Sequence, residues 1–353
     1  TTAPASAPAP AVPLAEASAP TVALASADTC RISDAQTLAT VDRHRMRVVV
    51  AFHGDVGLAA WAHSENELAT RVLDDAGRPV GQTIITPFRK AEGITLLTPV
   101  PRGFIALSVG HICDRLGSDC VQAIAIGPDA RPLGAPYLGR PSGQQLSVTD
   151  SDTKDGVLFT IETARWGCEV MRYEVAEDGA VRAQSSEGLE LDGGGPSDVP
   201  LRAVAAGDDG EAFVLAEYES HSGAPPRVAR LYRRSTGALT PLRGFGQNPE
   251  GIEVSAFEVV GEELIAIFDG KLGRFGFGGE TRARPTRLRS RDALPESLRD
   301  RVQTRIEAER GRAALVREDM LGTPIGSRTP IAPTMPYGDA VAQVAWVRDH
   351  FVA

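Results

Sequence analysis

The chain has 353 residues, a formal net charge of −9 and 42% hydrophobic residues. That apolar fraction is ample for a core, and the length suits one large or two ordinary domains. The acidic balance excludes nucleic acid as the main partner and disfavours an anionic membrane surface, because both need a basic face.

Residues 1–27 open with TTAPASAPAPAVPLAEASAP, rich in Ala, Pro and Ser with one charge, Glu16. Such a stretch buries no core and is expected to act as a tether. This composition commonly follows a removed export signal or a lipid-anchored cysteine, so an extracytoplasmic location is expected: secreted, periplasmic or lipid-anchored at the cell surface. No run of apolar residues is long enough to span a bilayer as a helix. Residues 28–43 hold one strand candidate, Thr37 to Val41.

The stretch Arg47 to Pro87 sets the pattern that the rest of the chain repeats. Val48 to Val50, Leu58 to Trp61, Leu68 to Leu73 and Val80 to Ile85 are short apolar runs bounded by Gly, Asp and Pro, the signature of strands. The turn between the third and fourth runs, VLDDAGRPVG (72–81), recurs as AIGPDARPLG (125–134) and more loosely as VAEDGAVRAQ (175–184) and GFGGETRARP (276–285). Further echoes are YRRSTGALTP (232–241) and REDMLGTPIG (317–326). Inner strands start near Met46, Ile94, Gln145, Leu201 and Ile252, a period near fifty residues. The units are 44–88, 92–139, 144–191, 200–247 and 250–289.

Residues 292–310 break the pattern. Leu298, Val302 and Ile306 recur every four residues behind Asp292 and Pro295, which predicts a surface helix. Residues 313–333 then restore the outer hairpin of a sixth unit, and 340–353 supply one or two strands of a seventh. The N-terminal arm is expected to complete that last unit, leaving no loose edge.

Four strands per unit at this period resemble the blades of a β-propeller, and the chain resembles a bacterial secreted β-propeller repeat protein at the level of architecture. The expected fold is all-β: four-stranded antiparallel blades, seven of them, with one inserted surface helix. Six blades remain open, as does a two-domain β-sandwich. The expected organisation is a tether over 1–27 and one propeller domain over 28–353, with the helical insertion at 292–310. The resemblance implies no particular activity, since one scaffold hosts many functions.

The four cysteines allow three pairings. Cys113 and Cys120 flank the polar loop DRLGSD, where a bridge is geometrically easy, which leaves Cys30 with Cys168. No C-x-x-C or close Cys/His spacing calls for zinc.

No G-x-S-x-G, H-E-x-x-H or phosphate-binding Gly loop is present. SDTKDG (151–156), AAGDDG (205–210) and FGFGG (275–279) are read as hairpin turns. Aligning the units puts His63, His111 and His221 in the same connection, between the second and third strands. Glu65, Asp114, Arg165, Trp166, Glu219 and Asp269 fall there too. Loops on a rigid scaffold collect function, so His63, His111, Asp114, Arg165, Trp166, Glu219, His221 and Asp269 are the ligand-binding candidates. They are equally ordinary loop residues on separate blades. Trp61 and Trp346 sit in apolar strands and are read as core; Trp166 is either a ligand anchor or packing over a disulfide.

These features favour a binding or scaffold module for a protein or glycan, with no catalytic residue, metal or cofactor assigned. An extracellular hydrolase or lyase using the loop-face histidines and carboxylates is the alternative. A structural part of an envelope assembly, docked through the 292–310 helix, is the other. The ligand's identity and the oligomeric state stay open.

Overall fold

The structure, a computed structural model, describes residues 48–89, 93–110, 119–139, 146–164, 167–185, 201–218, 228–242, 254–268, 270–289, 293–299, 302–309, 312–320, 323–326, 328–331, 345–347 and 350–352. Nearly all of it is antiparallel sheet. The first sheet comprises β1 (Val48–His53), β2 (Val56–Ser64), β3 (Glu67–Leu73) and β4 (Pro79–Pro87), paired in that order. The four apolar runs of the first unit are these four strands.

The same meander repeats four times. The second sheet holds β5 (Ile94–Val100), β6 (Gly103–Gly110), β7 (Cys120–Ile126) and β8 (Tyr137–Leu138). The third holds β9 (Ser147–Lys154), β10 (Val157–Ala164), β11 (Gly167–Val175) and β12 (Val181–Ser185). The fourth holds β13 (Leu201–Ala206), β14 (Ala212–Tyr218), β15 (Val228–Arg233) and β16 (Ala238–Pro241). The fifth holds β17 (Val254–Val260), β18 (Glu263–Phe268), β19 (Lys271–Phe275) and β20 (Thr281–Arg287).

Past the fifth sheet the helical expectation is corrected. A one-turn helix, α1 (Glu296–Arg299), is followed by a strand, β21 (Val302–Glu309), not by more helix. Pro295 opens the turn, its carbonyl accepting from the Leu298 and Arg299 N–H groups at 2.9 Å. Beyond it the four-residue spacing misleads, because positions four apart share a face in a strand as well as in a helix. Val302, Thr304, Ile306 and Ala308 alternate with Gln303, Arg305, Glu307 and Glu309, and that period of two prevails. β21 pairs with β22 (Arg312–Asp319), and β22 with β23 (Thr329–Ile331). A last described hairpin joins β24 (Ala345–Val347) to β25 (His350–Val352).

The core lies between sheets, not within one central mass. Val49, Leu58, Phe104 and Ile124 fill the first seam, between sheets one and two. Leu107, Val121, Leu158 and Tyr173 fill the second. Phe159, Ile161, Val204 and Val214 fill the third, and Phe213, Leu215, Phe257 and Leu264 the fourth. Alternate residues of one strand therefore serve opposite seams, as Leu158 and Phe159 do. This explains why β7, CVQAIAI, is buried at every position. Leu294 and Leu298 of the α1 region pack with Ile265, Ile267 and Met320. Trp61, read as core, is 1% exposed.

The first strands of successive sheets lie side by side, β1 by β5, β5 by β9, β9 by β13 and β13 by β17, and β24 lies beside β1. Sheets stacked face to face around their first strands make a β-propeller.

The repeated outer turn is one hairpin design. Gly77 N–H donates to Asp74 O, Ala130 to Gly127 O, Gly179 to Ala176 O and Gly279 to Gly276 O, at 2.9 to 3.0 Å. Gly179 shows why glycine is needed there: φ is +81°, and a Cβ would sit 2.1 Å from Leu133 O of the neighbouring sheet.

Candidate functional site

Two ends of each sheet are distinguishable. The turns joining first to second strands lie at one end; the turns joining second to third strands lie at the other, with the connections between sheets. The first sheet shows this directly, for Phe88 N–H, just past β4, donates to Asn66 O of the β2–β3 turn at 2.7 Å. His63 lies at this end and is exposed, at a register break between Ala62 and Ser64 that re-aims it. Glu65 is exposed in the same turn, which Ser64 Oγ braces by donating to Glu67 Oε2 at 2.9 Å.

The other loop-face candidates, His111, Asp114, Arg165, Trp166, Glu219, His221 and Asp269, lie outside the described residues. β6 ends at Gly110, β10 at Ala164, β14 at Tyr218 and β18 at Phe268, so each second strand stops just before this connection. Of the cysteines, Cys168 is a free, buried thiol, which overturns its expected bridge to Cys30. It sits near the end of the β10–β11 hairpin, where its Sγ approaches Thr163 Oγ1 at 3.6 Å. Cys120 is disulfide-bonded; Cys30 and Cys113 lie outside the described residues.

The structure adds a site that the loop alignment does not point to. The first strands β9, β13 and β17 border a cavity of about 420 Å³. Asp150, Asp152, Lys154, Arg202, Ser255 and Glu258 supply its polar lining. These strands are sheet edges, with backbone groups that need partners. Side chains supply them. Asp150 Oδ2 accepts from Val204 N–H at 2.8 Å and Asp152 Oδ2 from Ala206 N–H at 2.7 Å. Lys154 Nζ reaches Asp208 Oδ1 at 2.5 Å. All three links span the same sequence offset, so β9 and β13 run parallel and in register. Burial raises the Asp150 carboxyl above its ordinary range, the Val204 and Ser151 N–H groups pull it back, and neighbouring Asp152 adds to the rise.

A second regularity shapes the cavity. The first strand of four sheets carries one extra residue opposite its partner: Thr95 in β5, Thr149 in β9, Arg202 in β13 and Ser255 in β17. These are β-bulges at equivalent places, and bulges re-aim side chains. Arg202 and Ser255 are exposed and line the cavity. One wall thus presents carboxylates, a guanidinium and a hydroxyl within one cleft. That set can orient a polar ligand by hydrogen bonds and charge. The sequence carries a signal for it: in SVTDSDTK, Asp150 and Asp152 fall two apart on a strand too polar for an ordinary core element.

A third cluster is buried. Glu162 Oε1 accepts from Tyr173 Oη and, at 3.2 Å, from Thr160 Oγ1. Burial pushes the Glu162 carboxyl up to about 7, against the two hydroxyl donors and with Glu169 adding to the rise. The Tyr173 phenol is pushed well above its ordinary value by burial and by Glu162.

No protein-family model matches the chain, and no curated protein matches it. Solved structures resemble it only loosely. A prolyl endopeptidase is 14% identical over 83% of this chain and 43% of its own, with a TM-score of 0.42. TolB from Acinetobacter baumannii is 11% identical over 77% of this chain and 63% of its own, at 0.35. The periplasmic gluconolactonase of Pseudomonas aeruginosa is 14% identical over 88% of this chain and 99% of its own, at 0.38. The chain spans less than two thirds of the length of the first two. Likenesses this distant carry no functional information.

Proposed function

We propose that the chain is a seven-bladed, extracytoplasmic propeller that binds a protein segment or glycan at the mouth of its channel. The single observation behind this is the cleft of about 420 Å³, where bulge residues Arg202 and Ser255 join Asp150 and Glu258. A polar cleft with both charge signs suits a hydroxyl-rich or peptide-like ligand better than an apolar one. Seven described sheets, with β24 beside β1, support the blade count. The Ala/Pro-rich segment 1–27 and the bonded Cys120 support export, and a Cys113–Cys120 bridge fits that reading. The envelope-assembly alternative loses its contact helix, since Leu298 is buried.

A thermal-shift screen of the oxidised protein against glycan and peptide panels tests the reading. A ligand at a hundred times its Kd adds about 2.7 kcal/mol. The expected result is a shift that vanishes in the Arg202→Ala, Glu258→Gln variant. A shift that survives there but vanishes in the His63→Ala, His111→Ala, His221→Ala variant would move the site to the loop face. No shift from either panel would sink the binding reading.

A further inference from the structure

We propose that Glu162 makes the seam between the second and third sheets a proton-controlled latch. Glu162 on β10 and Glu169 on β11 are direct cross-strand partners, so their side chains share one face of the third sheet. Two carboxylates facing each other across a pair repel, and one of them here is buried: Glu162 is 9% exposed, whereas Glu169 is exposed. Glu169 is held outward by Ser185 Oγ, which donates to its Oε2 at 3.2 Å.

Every element packed against Glu162 contributes to its surroundings. Its own strand supplies Thr160, and β11 supplies Tyr173 and Glu169. From β9, Val148 is its cross-strand neighbour and is neutral. The second sheet supplies Tyr137, whose ring meets Tyr173 edge-on with centroids 6.1 Å apart. Asp119 is also buried in that seam, but its carboxylate already accepts from Leu146 N–H at 3.0 Å. Among the described residues, the charged neighbour acting on Glu162 is therefore a carboxylate, not a cation.

With Glu162 protonated, the Tyr173–Glu162–Thr160 chain is neutral and the aromatic contact across the seam holds. Losing that proton places a buried negative charge opposite Glu169, a state that water must relieve. The rise of the carboxyl to about 7 puts the change near neutral pH. The relief is local: the turn end of the β10–β11 hairpin loosens, and Tyr173 withdraws from Tyr137. The next rung toward the turn is Thr163 with Cys168, the buried free thiol, which packs on the opposite face of the sheet with Ile161 and Val170 and is uncovered when the hairpin loosens there. It reports the opening.

The test is the alkylation rate of Cys168, read by peptide mass spectrometry on the full oxidised chain from pH 5.5 to 8.5. Dividing the wild-type rate by that of Glu162→Gln cancels thiol ionisation. The ratio should be near one at pH 5.5 and rise several-fold by pH 8.5. A ratio that stays at one, with both proteins folded, overturns the latch. Should Glu162→Gln not fold, hydrogen exchange of β10 and β11 in the wild type, corrected for intrinsic rates, must accelerate across the same range. Glu169→Gln must move its midpoint to lower pH, because Glu169 raises the Glu162 carboxyl. Exchange independent of pH, or an unmoved midpoint, overturns the latch equally.

Discussion

Two neighbouring seams of this propeller enclose carboxyl groups and give them different partners. Between sheets three and four, Asp150 and Asp152 accept backbone N–H bonds from Val204 and Ala206. Those donors favour the charged form, and the carboxylates cap an otherwise bare strand edge. Between sheets two and three, Glu162 has only hydroxyl donors among the described residues and looks across at Glu169. The same functional group thus fastens a strand edge through backbone donors in one seam and faces another carboxylate in the other, while burial raises both Asp150 and Glu162. The difference comes from what faces it, not from depth alone.

Substitutions can break this comparison. The largest effect is expected at the outer part of the second seam. Gly179→Ala puts a side chain on a backbone with φ of +81° and drives it into Leu133 O. Strain and overpacking together should cost about 2–4 kcal/mol in urea unfolding. In the third seam, Asp152→Ala leaves the Ala206 N–H without its acceptor and should cost about 1–3 kcal/mol. If its midpoint instead matches wild type, the capping role is wrong. Thr98→Val removes the hydroxyl pair Thr98–Thr153, 3.1 Å apart across the second seam, and should cost about 0.5–1.5 kcal/mol. Arg234→Ala loses a surface bond to Gln184 at 3.1 Å and should stay within about 0.5 kcal/mol.

A pH scan sharpens the contrast. A carboxyl whose folded pKa is raised holds its proton longer when folded. Its contribution to stability is complete below the unfolded value near 4.5 and is lost as pH climbs through about 7. The wild-type Tm should therefore fall between pH 5 and 8 (other groups adding a shared background), and Glu162→Gln should remove that part of the slope. Equal slopes in the two proteins would mean that Glu162 does not titrate there.

The repeat is legible in the sequence because its turns are chemically constrained. Asp74 to Gly77 and Asp178 to Gly179 mark one hairpin that only a few residue types can close. The spacing of those turns places the inner strands. The segment at 302–309 misleads because valine and isoleucine four apart satisfy helix and strand alike. The free state of Cys168 is not legible, since pairing by elimination ignores distance. Glu162 is hidden for another reason. In LFTIETA it looks like the polar end of a strand; only the approach of Tyr137 from the next sheet shows that it is enclosed. Of the loop-face candidates, His63 is placed at the expected end of its sheet.

The inner-strand bulge has a consequence for how such a molecule can change. At Thr95, Thr149, Arg202 and Ser255 the chain carries one residue more than its partner strand requires. That residue is excused from ladder pairing, and the seams are filled by other positions. Threonine, arginine and serine occupy equivalent places in one chain, so the scaffold already tolerates widely different side chains there. In these four sheets the bulge is a letter that can be rewritten without editing the word that holds the fold.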